Sequence, residues 1–144
     1  MKHTEFAVKV DAEEVVRHIQ RAEANTSGEI RVCISRKRTR DPVRSASRQF
    51  EKLGMTRTRH RNGILIYIAP ASRTFAIVGD RAVHDICEQA FWEAARDRMQ
   101  AHFRANRYTQ GIVEAVDHAG QLLAQHFPKE GENPNELPDS IATE

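Results

Sequence analysis

The chain has 144 residues, of which 40% are hydrophobic and 29% are charged, and its formal net charge is +2. This length is enough for one domain with a full hydrophobic core, so neither disulfides nor a structural metal are needed for folding. No stretch approaches the ~18 consecutive apolar residues of a membrane-spanning helix, and no span is therefore expected.

The cysteines and the start of the chain both bear on the cellular compartment. Cys33 and Cys87 are far apart in the sequence and have no CxxC or Cys/His spacing, which favours reduced, buried thiols over a disulfide or a metal pair. The chain starts MKHTEFAVKVDAEE, which lacks the apolar segment of a signal peptide. Together these features predict a cytosolic protein.

Charge is unevenly distributed along the chain. Residues 129–144 contain one lysine and five acidic residues, a net charge of −4, whereas residues 1–128 carry +6. The segment Arg36–Arg61 contains ten Lys or Arg and two acidic residues. We therefore expect a single domain over residues 1–128 and an acidic tail over 129–144 that is too poor in apolar residues to order itself. Disorder is the default for this tail, and the alternative is that it folds back on the basic body.

The first half of the chain predicts two helices that flank a strand. Asp11 is a typical N-cap, and the apolar residues that follow it recur at helical spacing to about Asn25. The sequence Thr26-Ser27-Gly28 predicts a turn into a strand in which Ile30, Val32 and Ile34 alternate with polar residues. Asp41-Pro42 then marks the start of a second helix, which Gly54 ends.

The second half predicts a hairpin followed by helices. Asn62-Gly63 is a turn pair, and Ile64–Ala69 is a nearly continuous apolar run, as expected of a central strand covered on both faces. Thr74–Val78 predicts the antiparallel partner. After Gly79-Asp80 the apolar spacing becomes helical to about Asn106, and Ile112–Phe127 predicts a last helix. The order α-β-α-β-β-α-α predicts a three-layer α/β/α sandwich around a small mixed sheet, whose first crossover is parallel.

Several segments in a fixed order resemble the TPM domain family. They read RAEANTSGEIRVCI, LGMTRTRHRNGILIYIA, FAIVGDRAVH, FW and QHFP…NELPDSI. The resemblance covers about Asp11 to Phe127, and it lies in the ordered set rather than in any one motif. The family includes the thylakoid-lumen protein of photosystem II repair. The resemblance implies an α/β/α sandwich, and it implies calcium binding and weak acid phosphatase activity in some members.

Two departures from the family pattern concern the implied calcium site. Members commonly carry an acidic or amide residue before the Asn-Gly pair, where this chain has Arg61. Many have Gly followed by Ile-His or Leu-Glu after the third strand, where this chain has Ala82-Val83-His84. Calcium takes six to eight oxygen ligands, so an arginine in place of an oxygen donor predicts weak or absent calcium binding. The carboxylates that remain near strand ends are Glu29, Asp41, Asp80 and Asp85.

Topology predicts which of these residues meet. The strands that start at Glu29 and at Ile64 are expected to be parallel, and the strand that ends at Gly79 is antiparallel to them. Its end should therefore lie at the edge where the other two begin. We expect a small polar cleft there, formed by Glu29, Arg61, Asn62 and Asp80, in which Arg61 partly neutralises the two carboxylates.

Three functional hypotheses remain open from the sequence. The first is a TPM-like module of unassigned function that binds a ligand or partner with little or no catalysis and requires no cofactor. The second is a weak divalent-metal-dependent acid phosphatase, with Glu29 and Asp80 as metal ligands, Arg61 on the substrate phosphate and His84 as a proton donor. The third is binding of an anionic surface, a nucleic acid or a protein partner through Arg36–Arg61.

Overall fold

The computed structural model describes residues 1–87, 89–129 and 137–144. Two short 3₁₀ turns lie at Met55–Arg57 and at Pro70–Ser72. The other elements are α1 His3–Val8, α2 Ala12–Glu23, β1 Glu29–Ile34, α3 Pro42–Lys52, β2 Gly63–Ala69, β3 Thr74–Gly79, α4 Arg81–Ile86, α5 Gln89–Arg104, α6 Tyr108–His126 and β4 Ala142–Thr143.

The strands form one mixed sheet in the order β3-β2-β1-β4. β1 and β2 are parallel, with Ile30 opposite Ile64, and β2 is antiparallel to β3. The predicted hairpin and the predicted parallel crossover through α3 are therefore confirmed. Every residue of β2 is buried, and Ile66 is completely inaccessible, as expected of an internal strand covered on both faces.

Local signals set the helix boundaries. The carboxylate of Asp11 accepts a hydrogen bond from the Glu14 amide at 3.1 Å, and Asp41 accepts one from the Arg44 amide at 3.1 Å. Both residues are N-caps, which satisfy amides that have no partner within the helix. Gly54, with a φ of 75°, lies in the left-handed region directly after α3 and so ends that helix.

Hydrophobic clusters lie on both faces of the sheet. On one face, Ile30, Val32 and Ile34 pack with β2 residues of the same parity against α2 and α6. On the other face, Cys33, Leu65 and Tyr67 pack against α3 and against residues of the segment 137–144. The three-layer α/β/α sandwich predicted from the sequence is confirmed.

Two helical features differ from the sequence-based expectation. The predicted elements begin at Asp11, yet His3–Val8 forms a helix that buries Phe6 against the core. The first of the two helices predicted after Gly79 is also divided, because α4 ends at Ile86 before α5 begins at Gln89.

The acidic tail differs from its prediction where it is described. Residues 137–144 lie along the sheet, and β4 pairs in parallel with the end of β1. Leu137 and Ala142 are buried in the second cluster, and the partly buried Ile141 packs against the first. The prediction of disorder is therefore wrong for residues 137–144, and its part that falls on residues 130–136 lies outside the described residues. Across the described chain, no helix has the length and hydropathy needed to cross a bilayer.

Candidate functional site at the start of the parallel strands

The amino rim of the sheet is the edge where β1 and β2 begin and β3 ends; it includes Ser27, Glu29, Arg61, Asn62 and Asp80. Three contacts join the turns that precede β1 and β2 and the turn that follows β3. The Asp80 amide donates to the Gly63 carbonyl at 2.8 Å, and the Ala82 amide donates to the Arg61 carbonyl at 3.0 Å. The buried Asn62 side chain donates to the Ser27 hydroxyl at 3.2 Å. The structure therefore places the turns at Ser27-Gly28, Arg61-Asn62-Gly63 and Gly79-Asp80 side by side.

Arg61 and Asp80 form a two-point ion pair at the centre of the amino rim. Arg61 Nε lies 2.7 Å from Asp80 Oδ2, and Arg61 Nη2 lies 2.9 Å from Asp80 Oδ1. The hydrogen bonds from Arg61 to Asp80 raise the pKa of the guanidinium above its ordinary value. Asp80 is almost fully buried, and its Oδ1 also accepts a hydrogen bond from the Arg81 amide at 2.7 Å, which caps α4. Both carboxylate oxygens are therefore already used by the protein.

The backbone of Arg61 lies in the left-handed region, with a φ of 51°. This conformation is uncommon for residues other than glycine and asparagine. It turns the chain into Asn62 and brings the guanidinium back onto the end of β3. The turn before β1 has its own steric requirement, since a Cβ on Gly28 would lie 2.9 Å from Leu123 Cδ1.

Glu29 is buried at the same rim but contacts a different part of the chain. Its Oε1 accepts a hydrogen bond from the Leu137 amide at 2.9 Å, so this carboxylate fastens the returning segment 137–144. The sequence-based expectation placed Arg61 between Glu29 and Asp80. In the structure Asp80 is the carboxylate that raises the pKa of Arg61.

A carboxyl group that the sequence did not single out lies beside this contact. Glu23, at the end of α2, accepts a hydrogen bond from the Ile30 amide at 2.9 Å and is hydrogen-bonded to Asp139. Burial, followed by the bond to Asp139, raises the pKa of Glu23 to about 9. No local sequence signal reveals this pair, because Glu23 and Asp139 meet only when the end of the chain returns to the sheet.

His84 lies on α4, one turn after Asp80, and its side chain is exposed. It lines a groove of about 400 Å³ on the outer side of β3, together with Trp92 and Arg96. Within the described residues, the hydrogen bond between His84 and Asp80 is the helical one from amide to carbonyl, 2.9 Å long. Among the described side chains, no three His, Cys, Asp or Glu residues come together as a metal site would require.

The tail segment also meets the basic region Arg36–Arg61. The Glu144 carboxylate is hydrogen-bonded to Ser35 and accepts a hydrogen bond from Tyr67 at 2.7 Å, and it lies 3.8 Å from Lys37 Nζ. Burial raises the pKa of Glu144, but the hydrogen bonds from Ser35 and Tyr67, together with the charges of Lys37 and Lys52, lower it below its ordinary value. Burial and the nearby Glu144 raise the pKa of Tyr67 to about 12. Binding of an anionic partner by this region stays a prediction.

These features define the protein as a small α/β/α sandwich whose strand turns are joined by a polar rim. The chain belongs to the TPM domain family, whose model matches residues 8–122. A solved structure with the same fold is the NMR structure of the BA42 protein from the psychrophilic bacterium Bizionia argentinensis, which is 37% identical. The match covers 94% of this chain and 95% of that chain, with a TM-score of 0.84. None of the curated proteins matches the chain.

Proposed function

We propose that this protein is a cytoplasmic, non-catalytic binding module of the TPM family. The observation that carries the proposal is the ion pair between Arg61 and Asp80, in which a guanidinium takes the place that a cation would need beside the carboxylate. The buried free thiol of Cys33 supports the intracellular assignment, because reduced cysteines are usual in that compartment.

The chemistry of the amino rim disfavours a divalent cation there. Calcium needs six to eight oxygens, and magnesium needs an octahedral set. A cation that bound Asp80 would have to compete with Arg61 for both oxygens and with the Arg81 amide for Oδ1. Since the pair is bidentate and Asp80 is buried, that competition is unfavourable.

The contacts of the other proposed catalytic residues favour the binding module over the phosphatase hypothesis. Glu29 is used to fasten the Leu137 amide, and His84 faces the outer groove beside β3. A metal-assisted phosphatase would need these groups to converge with Asp80 on one phosphate. Arg61 would also have to leave Asp80 to grip that phosphate.

Two assays on the wild-type protein test this proposal. We expect the midpoint of thermal unfolding to be the same in millimolar calcium as in EDTA, and we expect no hydrolysis of p-nitrophenyl phosphate with calcium or magnesium. The matched variants are Asp80→Asn and Asp41→Asn, both of which keep a capping side chain. Hydrolysis that is lost in Asp80→Asn and retained in Asp41→Asn would overturn the proposal in favour of the phosphatase.

A further inference from the structure

A cavity of about 610 Å³ lies at the carboxyl rim of the sheet, the edge where β1 and β2 end and β3 begins. It is lined by the end of β2 and the start of β3, and by residues of α1, α5 and α6. Its volume falls in the range of about 300–1,000 Å³ that is typical of small-molecule sites. Open α/β sheets bind ligands outside the carboxyl ends of their parallel strands, which is where this cavity lies.

The walls of the cavity are aromatic. Phe103 is central, with its ring centre 5.6 Å from those of Phe6 and Phe75 and 5.8 Å from that of Tyr108. Ile68, at the end of β2, adds an aliphatic surface. These rings come from four elements, so the apolar surface is fixed by the fold rather than by one flexible loop. Such a surface favours an apolar ligand body.

The charged groups at this cavity are all positive. Arg73 and Arg104 line it, both are exposed, and none of the described residues that line it is acidic. Within the described part of the chain, neither guanidinium has an acidic partner within salt-bridge distance. Lys9 lies beside one of the lining rings, because its ammonium is 5.8 Å from the centre of the Tyr108 ring. An anionic group at the mouth of the cavity would therefore meet cations that the protein leaves uncompensated.

Backbone conformation also marks this cavity. Arg73 and Asn106 line it with φ values of 55° and 61°, in the left-handed region. Residues other than glycine hold this conformation at a cost, and such positions cluster at binding sites. Asn106 Oδ1 accepts a hydrogen bond from the Tyr108 hydroxyl at 2.9 Å, which orients one wall of the cavity.

We infer that the cavity at the carboxyl rim binds a small amphipathic anion. Its apolar body lies among the rings of Phe6, Phe75, Phe103 and Tyr108, and its anionic head is held by Arg73 and Arg104. This inference rests on the proposed function as a binding module and names the class of ligand. The groove beside β3 is a weaker candidate for an anion, because both Glu93 and Arg96 line it.

The test uses decanoate as the probe, at concentrations below micelle formation, in isothermal titration calorimetry with the full chain. We expect wild-type protein to bind decanoate with a dissociation constant of about 10⁻⁴ M, and not to bind decyltrimethylammonium, which has the same alkyl chain and the opposite charge. The double variant Arg73→Asn/Arg104→Gln should bind decanoate about tenfold more weakly. Arg96→Gln, on the same helix as Arg104 but outside the cavity, should bind it as wild type does.

Amide NMR spectra locate the binding. Decanoate should shift the signals of residues 68–75 and 103–108 and leave the indole signal of Trp92, which lies at the outer groove, unchanged. The inference is overturned if decanoate does not bind, if the cation binds equally well, or if Arg96→Gln weakens binding as much as the double variant does. Such a failure would not bear on the calcium and hydrolysis assays, which test the proposed function at the opposite rim.

Discussion

The amino rim and the cavity at the carboxyl rim differ in how their charges are compensated. At the amino rim the Arg61 guanidinium and the Asp80 carboxylate satisfy each other, and Asn62 and Glu29 have partners within the protein. At the carboxyl rim Arg73 and Arg104 line an aromatic cavity of about 610 Å³, and the described part of the chain contributes no acidic residue to its lining. Polar residues at strand ends are therefore not a sufficient sign of a binding site, because those at the amino rim serve to join turns.

The comparison of the two rims also shows where this chain departs from what the family resemblance implies. The resemblance directs attention to the amino rim and to calcium, but Arg61 occupies the carboxylate there. The carboxyl rim carries no sequence motif, and its cavity becomes visible only when α1, α5 and α6 are in place. A ligand of this protein is therefore sought at the rim that the motifs do not mark.

The largest effect is expected from Ile66→Asp, which disrupts β2, the strand whose two ends contribute to the two rims. Ile66 is completely buried in β2, and an unpaired carboxylate there should lower the free energy of unfolding by about 4 kcal/mol or more, comparable to the stability of a small domain. We expect loss of the folded circular dichroism signal at room temperature. Val43→Asp, on the exposed surface of α3, is the control and should fold normally. A folded Ile66→Asp protein would show that β2 is not the common support.

A smaller effect of opposite sign is expected from Glu23→Gln near the amino rim. Because the pKa of Glu23 is raised to about 9 by burial and by the bond to Asp139, the folded state keeps a proton that the unfolded state loses above about pH 4.5. The stability contributed by that proton is complete below about pH 4.5 and is lost as the pH rises to about 9. Glutamine imitates the protonated form and avoids this loss.

Urea unfolding between pH 5 and pH 9 measures the effect. We expect Glu23→Gln to unfold with a free energy about 1–3 kcal/mol higher than wild type at pH 8, and the difference should shrink towards pH 5. Glu13→Gln, at an exposed position of the same helix, should not change the pH dependence. Parallel curves for wild type and Glu23→Gln would contradict the account of the Glu23–Asp139 pair.

The smallest of the three stability effects is expected from Tyr67→Phe, which tests how the tail segment is held near the end of β1. Loss of the hydrogen bond to Glu144 should lower the free energy of unfolding by about 1 kcal/mol and speed amide exchange in residues 142–143. Tyr108→Phe, whose hydroxyl contacts exposed Asn106, should cost less. If both variants behave alike, the Glu144 contact does not hold the segment.

Local chemistry made much of the fold predictable from the sequence. Asp41-Pro42, Gly54 and Asn62-Gly63 act within a few residues, so their turns and caps can be read without knowledge of the rest of the chain. The continuous apolar run of β2 likewise needs only its own composition. The antiparallel hairpin then places Asp80 beside Arg61 by topology alone.

Other features depend on contacts between distant parts of the chain. β4 has two residues in an acidic segment with no periodic pattern, and it forms because β1 offers a free edge. The raised pKa of Glu23 comes from burial and from its bond to Asp139, which lies 116 residues further along the chain, and the aromatic cavity requires rings from four elements. Sequence periodicity reports burial along one element, so it does not reveal such meetings.

The measurement that tests the central claim most directly is a calcium titration of wild type, Arg61→Asn and Arg73→Asn, in which binding is detected by calorimetry and amide NMR. Both substitutions replace an arginine at a positive φ with asparagine, which tolerates that conformation. Of the two arginines, only Arg61 pairs with a carboxylate among the described residues. We expect Arg61→Asn to gain calcium binding at about 10⁻⁴–10⁻³ M, with shifts around Asp80, and wild type and Arg73→Asn to show none. Calcium binding by wild type at about 10⁻⁶ M, or no gain in Arg61→Asn, would contradict the claim that Arg61 prevents calcium from binding at the amino rim.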